Sequence, residues 1–185
     1  MKKIIRNILV VFIAPFFIYS CKKPVKFSEI PNISFKEFIQ HKSVAGKDTS
    51  VDFVFNFQDG DGDLGYADNE FFKCGVPLNN LFIYYEEKQG AAFVPKLFFE
   101  QVIDYNDNCD SVGVHYDSLQ LHFPSRMTYI QPTGSDKSIE GKVAYHLSQN
   151  SLLFISAKGR FRFYIVDRAE HQSNIEYSAE LDINK

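Results

Sequence analysis

From Val51 the chain alternates. Val51, Phe53, Phe55 and Phe57 fall on one side of an extended backbone, and Asp52, Val54, Asn56 and Gln58 on the other, the period-2 pattern of a half-buried strand. Leu81, Ile83 and Tyr85 repeat it up to a turn at Gln89-Gly90. Phe93 to Val102 is a nearly unbroken apolar run carrying Pro95, which has no N–H to donate and so predicts an edge strand. Leu119, Leu121 and Phe123 alternate with Gln120 and His122 until Pro124; Val143, Tyr145 and Leu147 form another short set. Phe161, Phe163 and Ile165 oppose Arg160, Arg162 and Tyr164. A last strand is predicted from Ile175, Tyr177, Ala179, Leu181 and Ile183 against Glu176, Ser178, Glu180, Asp182 and Asn184. Phe35, Phe38 and Ile39 lack a clean period and suit a first strand or a short turn. No segment past the N-terminus carries a capped helical stripe. Seven or eight short strands with polar turns predict an all-β domain at 49–185, an antiparallel immunoglobulin-like sandwich, with a closed barrel as the other solution to the same periodicity.

The N-terminus has a different pattern. Lys2, Lys3 and Arg6 precede twelve uncharged residues, Ile8 to Tyr19. A spanning helix needs about 20 apolar residues, whereas a secretory segment needs about 7–15. The run ends at Ile18-Tyr19-Ser20-Cys21, which resembles the lipobox of bacterial lipoproteins, with Tyr19 bulkier than usual. The resemblance implies a signal peptide at 1–20, cleavage before Cys21 and lipidation of its sulfur. The competing reading is an uncleaved anchor with an incidental cysteine. Residues 21–48 are then a tether whose first stretch, with Pro24, Pro31 and three lysines, has no period. No acid closely follows Cys21. By resemblance to lipoprotein sorting signals, that implies an outer-membrane position facing the periplasm.

Composition narrows the partners. Loss of residues 1–20 leaves 17 basic against 23 acidic residues, a formal −6, which disfavours nucleic acid and anionic headgroups as partners. Nineteen Phe and ten Tyr with no Trp lean towards sheet. Cys74 and Cys109 are the only cysteines beyond Cys21. In an oxidising compartment such a pair predicts a disulfide. A metal pair is the rival, but neither has a neighbouring Cys-x-x-Cys or histidine partner.

One motif carries chemistry. Asp59-Gly60-Asp61-Gly62-Asp63-Leu64-Gly65 follows directly on the Val51–Gln58 alternation. Carboxylates at alternate positions with glycines between them can wrap a hard cation such as Ca2+, which takes 6–8 oxygens at about 2.3–2.6 Å. With Asp59 as position one, Asp61, Asp63 and Glu70 fall at three, five and twelve of an EF-hand loop. Leu64 stands where that loop has glycine, and no helices flank it, so an EF-hand is excluded. The reading is a calcium loop between strands, with Asp68 or Glu70 completing the shell. The alternative is a plain acidic turn.

The lipobox, the strand running into DGDGDLG, and Val166-Asp167-Arg168-Ala169-Glu170-His171-Gln172-Ser173-Asn174 before the last strand together resemble Bacteroidetes lipoproteins with an immunoglobulin-like domain, a group without an assigned activity. The resemblance implies that Asp167 and Arg168 support or pair across the hairpin between the last two strands.

Catalytic patterns are sparse. His41, His115, His122, His146 and His171 show no paired spacing for a metal. Ser125 and Ser151 lack a Gly-x-Ser-x-Gly elbow, and no glycine-rich phosphate loop opens a helix. The expectation is therefore a non-enzymatic binding or scaffold module, meeting a protein or glycan through loops or a sheet face, where Tyr84, Tyr85, Tyr105 and Tyr116 offer area and a polar tip. The alternatives are a structural part of an envelope uptake or secretion complex and, behind it, a hydrolase.

Overall fold

The computed structural model describes residues 26–75, 78–132 and 137–185. The signal segment and Cys21 lie outside the described residues. Among the described residues, ten strands and one short α-helix, besides a 3-10 turn at Lys73–Gly75, follow in order: β1 (Asn32–Lys42), β2 (Asp48–Asp59), β3 (Leu81–Gln89), β4 (Ala92–Pro95), β5 (Leu97–Tyr105), β6 (Ser111–Gln120), β7 (Ile139–Leu147), α1 (Gln149–Phe154), β8 (Lys158–Ile165), β9 (Glu176–Tyr177) and β10 (Leu181–Asp182). All ladders are antiparallel. One sheet has the order β1-β2-β7, and the other β10-β8-β3-β4 with β9 also on β8. Among the described residues β5 and β6 pair only with each other. Among the described residues no helix is long and apolar enough to cross a membrane.

The architecture is an all-β sandwich, and the alternating residues build its core. Val51, Phe53, Phe55 and Phe57 of β2 are buried, as are Phe161, Phe163 and Ile165 of β8 and Leu81, Ile83 and Tyr85 of β3. Aromatic rings join the two sheets. Phe53 meets Phe161 at 5.7 Å, and Phe55 meets Phe163 at 5.2 Å between centroids. Each such side chain contributes about 1.5–3 kcal/mol on leaving water. Tyr85 donates its hydroxyl to the Ser156 carbonyl at 3.0 Å, and burial pushes its phenol up to about 12.

Several expectations need correction. The domain starts before residue 49: Asn32–Lys42 is paired with β2 along its length, and Ile33 is in the core. A bulge between Phe35 and Glu37 lets Phe35 and Phe38 both pack on the core with rings 5.0 Å apart, so the period was hidden rather than missing. The Phe93–Val102 run is two strands. β4 is an edge strand as expected of Pro95, but Lys96 breaks away, its N–H donating to Tyr85 O at 3.2 Å and its carbonyl accepting from Leu121 N at 2.6 Å. The predicted last strand is likewise split. Ile175 and Tyr177 are exposed, while Ser178 is buried and its hydroxyl accepts from Phe161 N at 2.8 Å. Finally, α1 was not foreseen; Ser148 caps it by accepting from Ser151 N at 3.4 Å.

Candidate metal centre

β2 delivers Asp59 from the core into the loop at its end. The loop is tightly confined. A Cβ on Gly60 would lie 2.5 Å from the Phe27 and Ser28 carbonyl oxygens. Gly62 has φ +69°, and a Cβ there would lie 2.1 Å from Lys137 O, so no larger residue fits. Leu64, in the place of an EF-hand's glycine, is fully buried and pins the loop to the hydrophobic core.

That confinement turns carboxylates inward. Asp59, Asp61 and Asp63 each bring an oxygen within 4.8 Å of the others, an arrangement that can hold a metal ion. Asp59 is 0% exposed. Both of its oxygens, with Oδ1 of Asp61 and Oδ1 of Asp63, are buried without a hydrogen-bond donor. Burial, reinforced by the like charges of Asp61, Asp63 and Asp167, pushes the Asp59 carboxyl up to about 7. Burial likewise raises Asp63, with Asp167 and then Asp61 adding repulsion and a hydrogen bond from the Ala169 backbone opposing it. Buried carboxylates of this kind are costly unless paired or bound to a cation.

Two residues expected in the shell are not brought there. Asp68 is exposed. Glu70 accepts from Ala67 N at 2.6 Å and from Arg168 Nη1 at 3.1 Å, and pairs with Arg168 Nη2. Arg168 also donates to Gly65 O at 3.3 Å and lies over Tyr66 and Tyr129. Arg168 thus ties the loop after β8 to the Asp59–Glu70 loop, while Asp167 is buried and accepts from His171 N within its own turn. No spacing in the sequence connects Asp167 to Asp59, which lie at the ends of strands in different sheets.

Cys74 and Cys109 form a disulfide with Cα atoms 5.0 Å apart. It ties the 3-10 turn at Lys73–Gly75 to the turn between β5 and β6. The β5–β6 ribbon has two contrasting faces. Register places Leu97, Phe99, Gln101 and Ile103 beside Gln120, Ser118, Tyr116 and Val114, a face without a charged residue. Phe99 is 81% and Tyr116 70% exposed. The other face carries Glu100, Asp104, His115 and Asp117, and its Phe98 packs on the core.

The histidines serve local pairing. His41 Nε2 and His146 Nδ1 share Asp52 at 2.8 and 2.7 Å. His115 bridges Asp104 and Asp117 at 3.2 and 3.1 Å, and His171 Nδ1 meets Asp167 at 3.0 Å. Of the predicted tyrosines, Tyr85 is core, Tyr84 is half-buried, and Tyr105 and Tyr116 are exposed on the ribbon. Comparison with protein-family models, curated proteins and solved structures finds no match for this chain.

Proposed function

We propose that the chain is a lipid-anchored extracytoplasmic module that acts without catalysis, as a binding or scaffold part of an envelope complex, with calcium bracing its sandwich. The N-terminal segment and Cys21 support the anchor, and an outer-membrane, periplasm-facing position is its expected site. Asp59, buried and without a donor, supports calcium. The proposed ligands are Asp59, Asp61 and Asp63, whose all-oxygen set suits a hard cation such as Ca2+.

One observation carries the binding role: the uncharged, exposed face of the β5–β6 ribbon. Leu97, Phe99, Ile103, Val114 and Tyr116 are all more than two-fifths exposed on one face, and a contiguous solvent-facing apolar cluster is the kind of surface a partner covers. The disulfide at the ribbon tip and the Lys96 bonds at its base hold it in place. Among the described residues both outer edges of the ribbon lack a neighbouring strand, so backbone donors and acceptors lie beside the apolar face. A protein segment satisfies both, by adding a strand and burying side chains. A glycan would use only the rings, and the aliphatic residues between them argue against it. For catalysis, the depression of about 360 Å³ between the ribbon base and α1 is lined by Phe98, His122, Phe123 and Phe154 with Glu100 as its one acid, short of the paired carboxylates a glycoside hydrolase needs.

The test is photo-crosslinking from positions 103 and 114 of the full chain, on the same face as Phe99 and Tyr116, in its own cell envelope. One discrete protein adduct, lost when Phe99→Lys is introduced beside the probe, is the expected result. Adducts that are absent, or unchanged by Phe99→Lys, sink the reading.

A further inference from the structure

Resting on the ribbon reading, we infer that the partner is a basic extended protein segment, apolar residues alternating with Lys or Arg, that adds as a strand along the outer edge of β5. From Leu97 to Gln120 the ribbon carries Glu100, Asp104, Asp107, Asp110 and Asp117 and no Lys or Arg. Glu100 and Asp117 stand directly opposite each other in the register, a like-charge pair that costs stability. Among the described residues the ion pairs of Asp104 and Asp117 are with His115 alone, at 3.2 and 3.1 Å. One sign of charge gathered beside an open edge selects a partner of the other sign.

The pleat sets the partner's pattern. Successive side chains of a strand point to opposite faces. A strand laid along β5 therefore has one set of side chains beside the exposed Leu97, Phe99 and Ile103, and the alternate set beside Glu100 and Asp104. The first set gains by being apolar, the second by being cationic. Glu100 and Asp104 are four residues apart, about 13 Å along a strand, so cations at the same spacing meet both. On β6 the charged face has His115 beside Asp117. The charged residues of β5 are carboxylates alone, and Lys96 at its base is turned to Glu87, which makes β5 the preferred edge. A second copy of this chain would set like acids against one another, the device by which edge strands avoid self-pairing.

The test uses the full chain in mild detergent with synthetic peptides of about 8 residues, the length of an ordinary strand: alternating Lys-Val, alternating Glu-Val, and a Lys block joined to a Val block. By fluorescence anisotropy the alternating Lys-Val peptide should bind most tightly, and by hydrogen exchange it should protect 97–105 more than 111–120. Glu100→Gln with Asp104→Asn should weaken it roughly 5-fold, the scale of two exposed ion pairs, and salt at about 0.5 M should weaken it by screening. The same peptide should displace the envelope adduct formed from positions 103 and 114. An adduct that it does not displace, equal binding of either control peptide, binding indifferent to the double variant and to salt, or protection of 111–120 in place of 97–105 overturns the inference and leaves the ribbon reading standing. Should the double variant fail to fold, the wild-type salt dependence and the control peptides decide. An envelope that yields no adduct sinks the ribbon reading and the inference with it.

Discussion

Phe53 of β2 and Phe163 of β8 meet edge to face, centroids 4.6 Å apart at 89°, and both are wholly buried. The contact fastens one sheet to the other at the centre of the sandwich. Truncating either ring removes its transfer energy and leaves a cavity, so Phe53→Ala should lower stability by about 3–5 kcal/mol. Denaturant unfolding with the disulfide intact measures it. A loss below about 1 kcal/mol, the scale of a point change without a core cavity, would mean the sheets are held elsewhere.

Calcium should raise the thermal midpoint relative to chelator, because an ion that binds only the folded state stabilises it by linkage. At 100 times the dissociation constant the gain is about 2.7 kcal/mol. Asp61→Ala should remove the response. Coincident curves for the wild type with calcium and with chelator would reduce the loop to a turn, and the buried oxygens of Asp59 would then have to be satisfied by protonation.

How far this was legible in the sequence depends on which force made each feature. β2 and β8 read directly because burial alone set their alternation. β1 did not, because its bulge places Phe35 and Phe38 on one face. The C-terminal segment alternates as well as any other, yet Ser173 and Ser178 replace ladder bonds there: their hydroxyls accept from Ile165 N at 3.1 Å and Phe161 N at 2.8 Å. A serine at a strand position is read as solvent-facing, and here both are buried. The DGDGD carboxylates were local and visible. Glu70, which fits a loop template by count, is taken by Arg168.

Acid should act through Asp52. Hydrogen bonds from His41 and then His146 hold its carboxyl below its ordinary value. A carboxyl with a depressed folded pKa stabilises the fold above its unfolded pKa, about 3.9, and that share is lost as pH falls through the folded value. Asp52→Asn should therefore be less stable than wild type at pH 6, with the difference closing below about pH 4. Urea unfolding across that window checks the sign. A gap that persists at pH 2–3 would mean that Asp52 contributes through packing and not charge.

The disulfide and the ribbon face make separable predictions. Cys74 and Cys109 close a separation of 35 residues, so replacing both with Ala should cost roughly 3–4 kcal/mol through the freed unfolded chain. It should also speed hydrogen exchange in β5 and β6, which among the described residues have no other strand beside them. Phe99→Lys with Tyr116→Lys should do neither. Both side chains stand in solvent, and exposed substitutions usually fall within about 0.5 kcal/mol of neutral. The double variant should unfold with wild-type cooperativity and still lose the crosslinked adduct. If it instead destabilises the domain by more than about 1 kcal/mol, the face is packed against something within the chain, and the ribbon belongs to the core instead of to a partner.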